Sequence, residues 1–150
     1  TVGAGGASLE WFRKNFCQEM TKEIFYEQYL ANVLSHSSPP ESRFFPYLAG
    51  DRHRIKKKSG AFTRLTLNTS RDDLLLAVAH GIVSFQIDGL TEWKKEVHLG
   101  KRICHVGGGA SEAYTRYKQR MIQDFVFDQL GETTIVGAAK LALNALKEEQ

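Results

Sequence analysis

Apolar positions at helical spacing divide much of the chain into predicted helices. These segments cover residues 7–17, 21–35, 70 to about 93 or 97, 111–122, and 133 or 134 to 143. The third has the clearest start, because Ser70 is a favourable N-cap residue and Asp73 follows three positions later. Residues 74–79 are apolar on every side, which predicts that this helix is buried against several neighbours.

Short apolar runs between the helices predict strands. They lie at residues 44–48, 61–67 and 125–127, and in a run that ends at Val106. The second half of the chain then reads helix, strand, glycine turn, helix, strand, helix, which is typical of α/β layering with parallel strands. We therefore expect helices packed on a short, mostly parallel sheet.

The turn after Val106 is the strongest candidate for a binding site. Gly107, Gly108, Gly109 and Ala110 carry almost no side chain, so a ligand or another backbone segment can come very close. The N–H groups at the start of the next helix favour electron-rich ligand atoms. The spacing matches neither the dinucleotide fingerprint nor a P-loop. On the glycines alone, a purely structural turn is the alternative to a nucleotide site.

Composition narrows the class of protein. The 150 residues are one domain's worth of chain with a net charge of +3. Much of the basic excess lies in residues 52–58, which we interpret as a solvated loop, with a nucleic-acid or phosphate patch as the alternative. No apolar stretch approaches the length of a membrane span, and no signal peptide is recognised.

The residues that most often carry chemistry give few signals. Cys17 and Cys104 are far apart and lack metal-ligand spacing, so we expect reduced thiols in a cytoplasmic protein, with Cys104 buried in a strand. His80 lies in an apolar helix, and His105 lies in the strand just before the glycine turn. We expect neither histidine to be catalytic, although His105 is placed where it could touch a ligand.

Several motifs, in a fixed order, resemble the carboxy-terminal domain of the FGGY carbohydrate kinases. Residues 46–52 (PYLAGDR) are similar to the family's P-Y-L-x-G-E-R, and residues 60–67 (GAFTRLTL) to G-x-F-x-G-L-T, with Arg64 where glycine is usual. Residues 73–82 look like the family's long helix. Residues 106–110 (VGGGA) are similar to its adenosine motif, and residues 137–142 to its closing G-A-A-x-L-A.

The resemblance implies an actin-like, ribonuclease-H-like ATPase fold and an ATP-dependent sugar kinase. By position, Gly108, Gly109 and Ala110 would lie against the adenosine, beside Gly107. The position of Ala113 often carries an amide that contacts adenine, so here Ser111, a backbone group or packing alone would take over that role. Mg²⁺ would bridge the phosphates of ATP in the full enzyme.

The resemblance also implies that residues 1–150 are the ATP-binding domain without its opening strands and without the amino-terminal domain. That other domain carries the catalytic Asp and most sugar contacts, and Asp51, Asp72 and Asp73 do not match the catalytic Asp. We therefore predict no catalytic or metal-ligating residue in this chain, and no activity of the chain alone.

The expected partners are ATP and, through the other domain, a sugar. No nucleic acid or membrane is expected, and self-association through an exposed sheet edge remains open. The alternative function is a non-catalytic actin-like module that binds a nucleotide or a protein.

Overall fold

The computed structural model describes residues 5–35, 38–50, 58–105, 111–129, 136–141 and 144. The elements in chain order are α1 (Gly5–Phe16), a π-helical segment (Ile24–Tyr29), α2 (Leu30–Ser35), β1 (Arg43–Phe45), β2 (Ala61–Thr63), α3 (Arg71–Glu96), β3 (Arg102–His105), α4 (Glu112–Met121) and β4 (Val126–Gln129). Residues 136–141 are also helical, inside the last predicted helix.

The second predicted helix is helical, but it is not a uniform α-helix. Its first part is π-helical, and the N–H of Leu30 donates to the carbonyl of Phe25 five residues earlier. This wider turn carries three aromatic residues with different environments. Phe25 is buried, Tyr26 donates to Glu10 of α1, and Tyr29 donates to Asp72 of α3. The segment therefore joins α1 and α3.

Helix α3 begins as predicted. The hydroxyl of Ser70 accepts a hydrogen bond from the N–H of Asp73 at 3.2 Å, and the Asp73 carboxylate accepts one from the N–H of Ser70 at 2.8 Å. This is a complete capping box. The helix continues through Asp88 and Gly89 to Glu96.

The length and hydropathy of α3 correct the expectation that no apolar stretch approaches the length of a membrane span. At 26 residues the helix is long and apolar enough to cross a membrane, a property that the core helix of a soluble protein can share. Five consecutive residues near its start are buried in the core, namely Leu75, Leu76, Ala77, Val78 and Ala79. The helix contacts β1, α1 and α2, so its apolar surface faces protein on several sides, as its sequence predicts.

The described strands form two separate pairs. Strands β1 and β2 are antiparallel, with Phe44 opposite Phe62. Strands β3 and β4 are parallel, with Ile103 opposite Phe127. The prediction of parallel strands is therefore correct for the second half of the chain. The first half adds an antiparallel pair, so the described strands are not all parallel.

Aromatic and aliphatic side chains from α1, the π-helical segment, α2, α3 and α4 fill one core. The largest fully buried side chains are Phe12, Phe25, Leu9, Leu30, Leu34, Leu75 and Ile82. Trp11 of α1 stacks on Phe44 and Phe62, which places α1 over the β1–β2 pair. Tyr114 and Tyr117 bring α4 into the same core. The core thus fixes α4, the helix that follows the predicted binding turn.

Gly81 is where α3 comes closest to β1. A Cβ atom on Gly81 would lie 2.2 Å from the backbone oxygen of Phe44. A side chain could turn away from such a contact, but the backbone of a paired strand cannot. The absence of a side chain at Gly81 is therefore required by the packing of α3 on β1.

We predict that Gly81→Ala destabilises the protein by about 1–3 kcal/mol through overpacking. Gly89→Ala in the same helix is the matched control. A Cβ at Gly89 meets nothing within 4 Å, and alanine should stabilise the helix there by roughly 0.5–1 kcal/mol. Urea unfolding of both variants measures the difference, and equal stabilities would contradict the packing at Gly81.

The departure at Arg64 from the family motif has a backbone consequence. Among the described residues, Arg64 is the only non-glycine residue with a positive φ, at 61°. This left-handed conformation places Cβ close to the following carbonyl oxygen, and glycine avoids that contact. The usual glycine of the motif would fit this backbone, whereas Arg64 adopts it with some strain.

We predict that Arg64→Gly raises the free energy of unfolding by up to about 1 kcal/mol, since relief of strain exceeds the entropy cost of glycine. Arg64→Val should lower it by at least about 1 kcal/mol, because a β-branched residue is disfavoured at positive φ. Thr63→Gly is the control. Thr63 lies in β2 with a negative φ, so glycine there should destabilise. A stabilising Thr63→Gly would contradict this reasoning.

Candidate nucleotide site

The start of α4 lies where the sequence places it. Ser111 is the N-cap, and its hydroxyl accepts a hydrogen bond from the N–H of Tyr114 at 3.3 Å. The carbonyl of Ser111 accepts a second bond from the N–H of Thr115 at 2.9 Å. The helix begins at Glu112, directly beyond the glycine turn in the sequence. Its N-terminal end is therefore available for electron-rich groups.

The structure describes two of the six residues that the sequence predicts for this site. Gly107, Gly108, Gly109 and Ala110 lie outside the described residues, so their roles stay predictions. Ser111 and Ala113 are described, and both line the same cavity of about 740 Å³. These two neighbours at the start of α4 therefore border a cavity, and the role of the site stays a prediction.

A wall of this cavity comes from a part of the chain that sequence reasoning missed. The π-helical segment and α2 contribute Tyr26, Glu27, Ala31, Leu34 and Ser35. Helix α4 contributes Arg116 and Arg120 in addition to its first turn. Some 80 residues separate the two walls in the sequence. No local pattern could therefore have predicted their approach.

The charged side chains on α4 already have partners. Arg116 forms an ion pair with Glu112 one turn earlier. Arg120 donates to the carbonyl of Leu34 near the end of α2, and its guanidinium lies 5.6 Å from the ring centre of Tyr117. Arg120 therefore ties the two walls of the cavity together, which gives the cavity a defined width.

Tyr26 supplies an aromatic, uncharged side of the cavity. Its hydroxyl donates to the carboxylate of Glu10 at 3.2 Å. Burial, with the negative charge of Glu10 as a smaller cause, raises the pKa of Tyr26 to about 12. The phenol is therefore neutral near pH 7. The cavity thus combines an aromatic side chain, a small alanine and a helix N-terminus.

Neither His80 nor His105 lines this cavity. His80 shares a hydrogen bond with the hydroxyl of Tyr117 at 3.1 Å, and its pKa is lowered by burial and by nearby Arg43. His105 contacts Thr115 and Lys118 of α4. Both histidines therefore have hydrogen-bond partners within the fold.

One of the two cysteines differs from the expectation from the sequence. Cys17 and Cys104 are both free. Cys104 is exposed and not buried as expected, because the pleat of the short β3 strand turns alternate side chains, including its own, outward. Among the described residues, no group of three or more His, Cys, Asp or Glu side chains could hold a metal ion.

The basic run and the acidic residues are only partly described. Lys58 donates to the hydroxyl of Tyr47 at 3.1 Å, while residues 52–57 and Asp51 lie outside the described residues. Asp73 belongs to the capping box, and Asp72 accepts from Tyr29. These contacts give both acids structural roles.

Known proteins that resemble this chain include xylulose kinases. No family model matches it. Xylulose kinase from Staphylococcus epidermidis, in each of two strains, is 29% identical over 147 residues, which is 95% of this chain and 29% of the relative. The chain therefore spans less than a third of the length of these relatives.

Solved structures add the fold. Xylulose kinase from Rhodospirillum rubrum superposes with a TM-score of 0.71 at 19% identity, over 85% of this chain and 26% of that protein. For xylulose kinase from Bifidobacterium adolescentis the TM-score is 0.57 at 27% identity, over 74% and 22%. This similarity in sequence and fold to part of the xylulose kinases confirms the predicted resemblance to the FGGY carbohydrate kinases.

Proposed function

We propose that this chain is the ATP-binding part of a carbohydrate kinase, which transfers the terminal phosphoryl group of ATP to a sugar or polyol hydroxyl. Its similarity to xylulose kinases supports the reaction class. We further propose that residues 1–150 form the carboxy-terminal ATP-binding domain, with the ribonuclease-H-like topology of actin-like ATPases. The sugar would then be bound mainly by the amino-terminal domain.

The observation that carries this proposal is that Ser111 and Ala113 line one cavity. Its volume of about 740 Å³ is within the range of roughly 300–1,000 Å³ that is usual for small-molecule sites. Elements distant in sequence form it, and the first turn of α4, which begins at Glu112, contributes to its wall. Such a cavity is large enough for the adenosine part of ATP.

The residues present can hold a nucleotide by packing and by backbone groups. The methyl group of Ala113 leaves room for a flat base, and the neutral ring of Tyr26 offers a further surface. The hydroxyl of Ser111 accepts from the N–H of Tyr114 and holds the start of the helix. The other N–H groups of the first turn would serve acceptor atoms of the nucleotide. Gly107, Gly108, Gly109 and Ala110 would complete the site. Mg²⁺, when bound to the phosphates, would neutralise their charge during phosphoryl transfer.

We predict that filling the cavity at Ala113 weakens ATP binding. Isothermal titration calorimetry should show ATP binding by the chain, and Ala113→Phe should weaken it at least about tenfold, because the ring would occupy the space of the base. Ala7→Phe is the matched control, since Ala7 is an exposed alanine on α1 and does not line the cavity.

Two results would contradict this site. One is the absence of ATP binding at millimolar concentration by a wild-type chain that unfolds cooperatively on heating. The other is unchanged ATP affinity in a folded Ala113→Phe variant. Thermal unfolding of both phenylalanine variants separates loss of the cavity from loss of the fold.

The chain alone should not phosphorylate a sugar. None of its carboxylates occupies the position of the family's catalytic Asp, and phosphoryl transfer depends on positioning by both domains. With ATP, Mg²⁺ and xylulose, release of ADP should therefore stay at the level measured without the sugar. Release of ADP that depends on xylulose would show that the chain carries its own catalytic group.

A further inference from the structure

A second cavity, separate from the proposed nucleotide site, contains a buried lysine. Lys118 of α4 is only 4% exposed, although it carries an amine at the end of a long, flexible side chain. Its Nζ lies 3.0 Å from Nε2 of His105 and 4.8 Å from the ring centre of Tyr114. None of the ion pairs formed within the described ranges includes Lys118. The amine is thus held beside a histidine and an aromatic ring.

The hydrogen bonds define the state of His105. A lysine ammonium group can only donate, so Nε2 of His105 accepts from Lys118. Its Nδ1 then carries the proton and donates to the hydroxyl of Thr115 at 3.1 Å. Burial, together with the charge of Lys118, lowers the pKa of His105 to about 4. The ring is therefore neutral near pH 7, and the lone pair on its Nε2 points at the amine.

Burial also acts on Lys118. Removal of the amine from water lowers its pKa to about 8, well below the usual value for lysine. A substantial fraction of Lys118 is therefore a neutral, nucleophilic amine in mildly alkaline solution.

The cavity beside this amine is mostly apolar. It has a volume of about 410 Å³, and Lys118 and His105 both line it. Its apolar walls come from α3, β3 and β4, and include Phe85, Leu90, Trp93, Ile103 and Phe127. Among the described residues, the titratable groups in contact with the amine are His105 of β3 and Tyr114 of α4, and the exposed Cys104 also lines the cavity. The lining residues of α3 carry no charge.

We propose that Lys118 is a reaction site for small aromatic aldehydes, which enter this cavity and form an imine with Nζ. The nitrogen lone pair attacks the carbonyl carbon, and a C–N bond forms. Nε2 of His105 takes a proton from the nitrogen and returns it to the carbonyl oxygen. The second N–H proton leaves with that oxygen as water when the C–O bond breaks, which leaves C=N. The apolar walls limit hydrolysis of the product.

Reductive trapping tests this proposal in the intact chain. The protein is incubated with benzaldehyde and cyanoborohydride at pH 8, where hydride transfer to the imine carbon leaves a benzyl group on the amine. Peptide mass spectrometry then compares Lys118 with the exposed Lys14 and Lys95. We expect early labelling at Lys118 to exceed that at either lysine about tenfold, because burial leaves a substantial fraction of the Lys118 amine neutral at this pH and the cavity holds the aldehyde beside it. A thiol adduct at Cys104 would not be reduced, so it does not enter the comparison.

The rate at Lys118 should rise with pH and level off above about 8. In urea the preference should disappear. Lys118→Met should remove the fast label, and Lys95→Met should leave it unchanged. Labelling at Lys118 in the native wild-type chain that is no faster than at Lys14 and Lys95 would overturn the proposal. That comparison needs no variant, so it holds even if Lys118→Met fails to fold.

Discussion

The close approach of α3 to β1 at Gly81 is the contact on which the rest of the fold depends. It allows α3 to lie at the centre of the core, against α1, α2 and β1. The other half of the chain attaches to the same helix, since the hydroxyl of Tyr114 reaches the carbonyl of Ala79 and Tyr117 pairs with His80. Helix α4 therefore takes its position from α3, and the proposed nucleotide cavity follows from that position.

Sequence reasoning succeeded where the cause of a structure is local. The cap at Ser70, the start of α4 at Ser111 and the parallel order of β3 and β4 all follow from short patterns. It failed where the cause is a distant contact or a local widening of the backbone. The π-helical turn at Ile24–Tyr29 and the wall that α2 adds to the cavity have no signal in apolar periodicity.

The residue at position 64, where the family motif usually has glycine, has an unusual backbone conformation. From the sequence, Arg64 was only a residue in place of a usual glycine. Its φ of 61° shows that this chain has a left-handed residue directly after β2. Gly50, in the preceding motif, has a φ of 75° directly after a turn closed by its own N–H to the carbonyl of Tyr47. In both motifs of this chain, the residue at the glycine position has a positive φ, which glycine adopts without steric cost.

Helix α4 explains how two cavities can lie so close together and remain distinct. Ala113, Arg116 and Arg120 follow one another at helical spacing and line the proposed nucleotide cavity. Lys118 and Ile122, one turn apart on another face, line the second cavity. Tyr114 and Tyr117 occupy the face between helix and core. Because one helix supports both cavities, a change that shifts α4 should affect both, whereas a change to a single side chain on one face should affect only one.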